Sequence, residues 1–311
     1  MRLSWVRWIV QHLSFFALTY GGRFGLSLGP SLPCFSCPYV FGCGGNCYLM
    51  GLQGFIGFGL GAKFFGFAGL RALGYFALFA LLVAIFGKTW CGWICPFGLV
   101  QDWLAALRKK LGIRESRISP GVTAGLGWVK YALLVYLAIV PVLITVGLVH
   151  PDFYLPFCSI CPAKAIMPLF AGDTRYFSLD LTNAVTAFFS ASLLTITGIM
   201  LVGMFFKDRF FCVFCPLLAL IHLLKPLSAL RLVKSPKSCI GCGSCRRVCP
   251  MDIEEVYREK EKKDVQVSAC LNCGTCVQAC AANRALSLRW LGLKLVESSR
   301  RLALGVKRGK K

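Results

Sequence analysis

Two cysteine runs carry the most specific chemistry in the chain: Cys239-x-x-Cys242-x-x-Cys245-x-x-x-Cys249-Pro250 and Cys270-x-x-Cys273-x-x-Cys276-x-x-x-Cys280. Three closely spaced thiolates wrap one face of a 4Fe–4S cubane, and the fourth cysteine of each run reaches the other cluster. Cluster one is therefore expected on Cys239, Cys242, Cys245 and Cys280. Cluster two is expected on Cys249, Cys270, Cys273 and Cys276. The crossing keeps the two clusters close, which suits electron hopping. Ala281 stands where a proline is usual, a departure that bears on reduction potential rather than on ligation.

The other ten cysteines also sit in pairs. Trp90-Cys91-Gly92-Trp93-Ile94-Cys95-Pro96 follows an apolar run, Tyr75 to Gly87, long enough to end a membrane helix. Cys34-x-x-Cys37-Pro38, Cys158-x-x-Cys161-Pro162 and Cys212-x-x-Cys215-Pro216 repeat the pattern, and Cys43-x-x-x-Cys47 adds one more pair. A tetrahedral metal site or a cubane takes about four ligands, so each pair needs another. Zinc is the alternative metal, but a structural zinc gives no reason for a redox domain on the same chain.

The elements that must bring these pairs together are membrane helices. Hydrophobic residues make up 57% of the chain, above the roughly 45–50% of soluble domains, and the mean hydropathy is +0.66. Spans are expected at Trp5–Gly22, Ala72–Gly87, Trp128–Val149 and Thr182–Phe206, with a retained first helix rather than a cleaved signal. Tyr48–Leu70 is glycine-rich and apolar, either re-entrant, a tightly packed helix or a fifth span. Its Gly57-Phe58-Gly59-Leu60-Gly61 lacks the Lys-Ser/Thr and the flanking pattern of a phosphate loop.

The net charge is +22. Its cations flank the apolar runs, as the positive-inside rule requires, which argues for an anionic membrane surface and against nucleic acid. Arg108, Lys109, Lys110, Arg114 and Arg117 make the connector after Trp103 basic. His150, Asp152, Asp173 and Asp180, against Lys164 and Arg175, mark the opposite face. The expected fold is a mainly α membrane protein: four transmembrane helices, or five, as two parallel two-helix repeats at about 1–112 and 113–229. The membrane domain takes 1–231, an α+β two-cluster domain 232–290, and a basic amphipathic tail 291–311, its surface helix beginning near Leu286.

The repeat supplies the missing ligands. Two spans separate the Cys91–Cys95 and Cys212–Cys215 pairs, so the four are expected on one, inner face as a shared cluster. Cys34, Cys37, Cys158 and Cys161 are expected to pair likewise on the outer face, a membrane thickness of ~30 Å away. Cys43 and Cys47 remain as an alternative ligand pair or a disulfide. Candidates for a quinone site at the inner interface are Trp90, Trp93, Gln101, Asp102, Trp103 and His222, weighed against an ordinary interfacial aromatic belt. Haem is not indicated: the histidines are His12, His150 and His222, with no C-x-x-C-H. No paired carboxylates or nucleophile–base set points to hydrolysis.

The cysteine motifs, the membrane helices and the C-terminal dicluster domain together resemble the NapH-type membrane ferredoxins, and Arg7-Trp8-Ile9-Val10-Gln11 fits that family's R-x-x-x-Q start. The resemblance covers nearly the whole chain. It implies electron transfer linked to the quinone pool, within a redox complex that has a periplasm-side partner. It also implies an inner-membrane, multi-pass location with both termini cytoplasmic. Two features depart from the family: Cys212–Cys215 has two intervening residues where three are usual, and the cysteines at 34, 37, 43, 47, 158 and 161 lie outside its pattern. A quinol dehydrogenase subunit is one form of the expected activity. A membrane reductase serving metalloenzyme maturation or redox regulation is the alternative.

Overall fold

The computed structural model describes residues 3–59, 67–116, 120–150, 153, 156–261 and 263–303. The chain begins with α1 (Leu3–Tyr20), then α2 (Tyr48–Gly59) and α3 (Phe67–Phe86). A π-helical turn (Trp90–Ile94) leads into α4 (Pro96–Lys110). After α5 (Pro120–Thr145) come the short α6 (Pro156–Ile160) and α7 (Pro162–Leu169), then α8 (Ala184–Phe206), α9 (Phe210–Phe214) and α10 (Pro216–Leu223). The C-terminal part holds β1 (Leu230–Lys234), α11 (Ser244–Arg247), α12 (Glu255–Arg258), α13 (Thr275–Ala279), β2 (Leu286–Trp290) and β3 (Leu293–Glu297).

Three of the described helices are long and apolar enough to cross a membrane, over Gly69–Phe86, Gly125–Thr145 and Ala184–Phe206. Burying their backbone polar groups in helical hydrogen bonds is what makes them viable in lipid. α8 starts cleanly because Asn183 and Thr186 form a reciprocal capping box. The span expected at Trp5–Gly22 is not among the three. Arg7, Gln11 and His12 break the apolar run of α1, and two of them face polar partners described below. The Tyr48–Leu70 segment resolves into α2, about 18 Å long at 1.5 Å per residue and too short to cross; residues 60–66 lie outside the described set.

α2 runs against the middle of α3. Tyr48 stacks on Phe79 with ring centroids 4.0 Å apart, and Phe55 stacks on Tyr75 at 5.3 Å. The loop that precedes α2 therefore enters the membrane layer to about the depth of Phe79. From the other half of the chain, Ser159 of α6 shares a cavity with Phe189 and Leu193 of α8. Both loops on the side away from the C-terminal domain are recessed, so the expected separation by a full membrane thickness does not hold.

The C-terminal domain is held by a three-stranded antiparallel sheet in the order β1-β2-β3, with Leu230 opposite Trp290 and Lys234 opposite Leu286. The strand content corrects the helix expected from Leu286 and the tail expected from 291. Alternating Leu286, Leu288 and Trp290 give a period of two, which matches a half-buried strand and not a helix. Residues 304–311 lie outside the described set. Lys234 is buried and donates to the carbonyls of Val256, Tyr257 and Glu259, so it ties the sheet to α12.

This domain seats on the membrane part through directional contacts. Trp290 Nε1 donates to the Ile85 carbonyl and Ala229 N–H to the Ala84 carbonyl, at the end of α3. Lys207, just past α8, pairs with Asp252. Ser4 in α1 exchanges hydrogen bonds with Gln278 of α13.

Candidate functional site

The Cys-Pro signature has a local structural meaning. Cys95, Cys161 and Cys215 are the N-cap residues of α4, α7 and α10, and the proline takes the first helical position in each. Proline suits that position because its missing N–H is one of the unpaired amides there. Amides of the first turn then lie against the thiol: Gly98 and Phe97 at Cys95, Ala163 and Lys164 at Cys161, and Leu218 at Cys215, those of Lys164 and Leu218 also bonding the Cys161 and Cys215 carbonyls. Such donors favour a thiolate and a negatively charged group bound to it.

In the C-terminal domain the cysteines gather in two groups. Cys245, Cys249, Cys270, Cys273 and Cys276 line one cavity. Burial pushes the Cys249 thiol up to about 12, and Cys273 and Cys270 stand near enough to add to the shift. Burial likewise raises Cys280, with Cys242 and Cys239 beside it, and raises Cys245, with Cys280 and Cys239 beside it. Cys239 and Cys242 are exposed, so the first set lies at the domain's surface. The second set faces the membrane part.

That contact is close. A Cβ on Gly92 would meet the Leu271 carbonyl oxygen at 2.5 Å and Cys273 Cβ at 3.4 Å, so only glycine lets the Cys91–Cys95 turn lie against the second set. Trp93 Nε1 donates to the Asn272 carbonyl at 3.1 Å. Lys88, 1% exposed, donates to the carbonyls of Val267 and Ser268 and lies between Cys91 and Cys270.

Cys91, Cys95, Cys212 and Cys215 line a second apolar cavity, with Leu271 of the C-terminal domain at its wall. Burial pushes the Cys212 thiol up to about 11. Gln101, buried, accepts from the Phe211 N–H at 3.1 Å and donates to Cys212 Sγ at 3.6 Å. Beside the thiols sits a buried ionic knot. Arg209 is fully buried and makes two bonds to Asp102, at 2.8 and 2.5 Å, and one to the Cys91 carbonyl at 3.3 Å. Burial alone would raise Asp102, but Arg209 and then Arg7 hold its carboxyl below the usual range. Arg7 and Gln11, four residues apart on one face of α1, both reach Asp102 and the Gly92 carbonyl. The R-x-x-x-Q spacing is thus what one helix face needs to hold the cysteine turn.

Cys34 departs from its expected place. It lines the same cavity as Cys91 and Cys95 and packs with Trp90, Leu82 and Cys95. The group around Cys158 and Cys161 instead contains Cys37 and Cys47. The cause is the recessed loop, which carries residue 34 past residue 37 toward the inner site. Cys43 is only half-buried and hydrogen-bonds Asn46. All eighteen cysteines carry free thiols, Cys43 and Cys47 included.

The quinone candidates do not gather. Trp93 faces Asn272, Gln101 faces Cys212 and Asp102 is held by Arg209. Trp90 donates to the Leu82 carbonyl and Trp103 to His12. His222 alone lines an open cavity, of about 710 Å³, with Trp128, Tyr131 and Ser268. It accepts from Lys88 Nζ at 3.0 Å. Burial, then Lys88, lowers its pKa to about 4, which keeps the ring neutral. Arg209 was missed as a functional residue because a cation after a span reads as a topology signal.

The donor sets fit iron–sulfur clusters. The cavities at the second ferredoxin set and at the inner set are each lined by cysteines, with no carboxylate or imidazole among the lining residues. Among the described residues, no three or more His, Cys, Asp or Glu converge as the site of a single metal ion does. Cluster loading at such buried thiols must expel their protons.

Comparisons with known proteins agree. A 4Fe-4S binding domain model matches twice, at residues 68–114 and 189–234, with Cys91 and Cys212 at the same offset in each match. A 4Fe-4S dicluster domain matches residues 231–281. The chain is 24% identical to YccM of Escherichia coli (strain K12), named provisionally as an electron transport protein, over 56% of this chain and 44% of YccM. It is 46% identical to the ferredoxin-type protein NapH of Haemophilus influenzae over 16% of this chain and 18% of NapH. It is 40% identical to the methylamine utilization ferredoxin-type protein MauN of Methylorubrum extorquens, over 16% of this chain and 17% of MauN. The chain thus spans less than half the length of each of these three relatives. No solved structure matches it.

Fold and sites define a membrane-anchored iron–sulfur electron-transfer protein. Within that class, the chain is similar to ferredoxin-type electron-transport proteins such as NapH and MauN.

Proposed function

We propose that the chain is a transmembrane relay in which electrons move between ferredoxin cluster one, cluster two and an inner-face cluster on Cys91, Cys95, Cys212 and Cys215. The observation that carries this reading is the packing of Gly92 against Cys273. It puts a ligand turn of the inner site in van der Waals contact with a ligand of cluster two. The bound clusters supply one-electron redox chemistry; the chain's residues set distance, exclude water and balance charge. Arg209 places a buried positive charge beside the anionic site. Gln101 and the first-turn amides of α4 and α10 donate to its sulfurs, and such hydrogen bonds tune reduction potential.

The ferredoxin side is the cytoplasmic side of the inner membrane in this reading. Arg108, Lys109 and Lys110 in the last turn of α4, Arg114 beyond it, and Lys207 after α8 satisfy the positive-inside rule there. Electrons leave to a redox partner on the far side. Quinone exchange, as the donor or acceptor within the membrane, fits the cavity beside His222. The test is electron transfer across sealed vesicles containing the full chain, from an impermeant reductant on the ferredoxin side to an impermeant acceptor enclosed opposite. Transfer that Cys91→Ser abolishes is expected. Transfer at the wild-type rate in Cys91→Ser overturns the reading.

A further inference from the structure

We infer that Cys37, Cys47, Cys158 and Cys161 hold a second membrane-embedded 4Fe–4S cluster, and that the Cys34–Cys37 loop joins it to the inner-face site. None of these four cysteines lies within the segments matched to 4Fe-4S domains.

The four thiols come from three separate parts of the chain and are all buried, between 6% and 8% exposed. Cys37 has Cys47 and Cys158 beside it, and Cys161 has Cys158 and Cys37. Among the described residues, no carboxylate or imidazole is hydrogen-bonded to any of them. Lys164 is the nearest cation, with Nζ over the rings of Tyr39 at 4.8 Å and Tyr176 at 5.5 Å.

The architecture repeats that of the inner site. Cys95 precedes α4, and six residues on Gln101 donates to Cys212, the first cysteine of Cys212-x-x-Cys215-Pro216, at 3.6 Å. Cys47 precedes α2, and six residues on Gln53 donates to Cys158, the first cysteine of Cys158-x-x-Cys161-Pro162, also at 3.6 Å. Both glutamines are buried. In both sites the closing Cys-Pro pair starts an eight-residue helix whose first amides face the thiol. A glutamine N–H aimed at a buried sulfur in an apolar layer is a donor for an anionic acceptor. Its occurrence twice, at the same spacing and on the same motif, marks a second site of the same kind.

The two sites are close enough to exchange electrons. Phe35 N–H donates to the Cys95 thiol, and the Phe35 ring packs on Phe211 at 5.3 Å and Phe97 at 6.3 Å. Cys34 faces the inner cavity and Cys37 the second set. Three residues reach at most ~10 Å. One electron leaving a reduced inner cluster reduces the second cluster and leaves the first oxidised, with no other reactant. Ser159, Lys164 and Tyr176 line an open cavity of about 700 Å³ beside the Cys158–Cys161 turn. The inference extends the relay proposed above, and rests on different cysteines.

The test is iron and acid-labile sulfide per chain in the purified, anaerobically reconstituted full chain. About sixteen irons are expected for four clusters. Cys47→Ser should lose about four of them with the ferredoxin EPR signals retained as evidence of folding, and Cys34→Ser and Cys43→Ser should lose none. A wild-type content of about twelve overturns the second site. Loss in Cys34→Ser with none in Cys47→Ser overturns the ligand set. Failure of the relay reading is separate: Cys91→Ser would keep its full iron.

Discussion

The two halves of the molecule build the same kind of site by opposite means. In the C-terminal domain the ligands of each cluster come mostly from one run of ten or so residues, and a single crossing cysteine completes it. In the membrane part each site draws on turns more than a hundred residues apart, and the helices α3, α5 and α8 decide which turns meet. The local design tolerates exposure, as Cys239 and Cys242 show. The dispersed design is buried except at the half-buried Cys95, and Arg209 places a buried positive charge beside the inner site. Dispersed ligands therefore make the inner site dependent on the whole membrane fold, whereas the ferredoxin sites depend on their own domain.

The difference can be broken most directly at the ligands. Cys212→Ser should cost the inner site its cluster, about four irons, and leave both ferredoxin EPR signals intact. Cys276→Ser should remove a ferredoxin signal and leave the inner site loaded. Equal losses from both variants would mean that the two halves are not independent. The next largest effect belongs to the ionic knot. Arg209→Met leaves Asp102 without its main partner; breaking a buried pair costs about 3–5 kcal/mol, and the lower end applies because Asp102 keeps some access to solvent. A matching fall in thermal midpoint of the membrane part, with the ferredoxin signals unmoved, is the expected result.

A subtler change sharpens the contact between the halves. Gly92→Ala puts a Cβ against the Leu271 carbonyl, so the C-terminal domain must shift outward. Iron content should stay constant while electron transfer from cluster two to the inner site slows, measured by rapid-mix freeze-quench EPR. The smallest effect is that of pH on the seating of the two halves. The His222 pKa is lowered to about 4 by burial and Lys88, below the ordinary value near 6.5. A depressed histidine keeps its contribution above pH 6.5 and loses it as pH falls toward 4. Protonation would also set His222 against the Lys88 ammonium. Seating, followed by protease access to the 259–264 region, should weaken over that window, and His222→Gln should flatten the dependence.

Sequence spacing alone pointed to the dicluster domain that the family match places at residues 231–281, because adjacent cysteines in one run have little freedom to go elsewhere. The inner set was also legible, since counting spans placed Cys91–Cys95 and Cys212–Cys215 on one side. On the far side the structure groups the cysteines differently from the expected four: Cys34 lines the inner cavity, and Cys47, the alternative ligand, lies beside Cys158 and Cys161. Counting spans gives a face but not a depth, and the loop before α2 dips far enough to carry Cys34 to the inner cavity. α1 has the length of a membrane helix, but Arg7 and Gln11, which face Asp102 and Gly92, keep it out of the three apolar candidates. The strands at Leu286–Trp290 and Leu293–Glu297 were read as an amphipathic tail. Short basic segments with scattered leucines satisfy a helix period and a strand period alike, and only pairing with β1 separates them.

The central claim is that cluster two and the inner-face cluster are neighbours through Gly92, Leu271 and Cys273. EPR of the dithionite-reduced full chain tests it most directly. Spin–spin interaction that splits or broadens the cluster-two signal, and collapses to an isolated signal when Cys91 and Cys95 are both replaced by serine, is the predicted result. A cluster-two signal identical in the wild type and the double variant would contradict it.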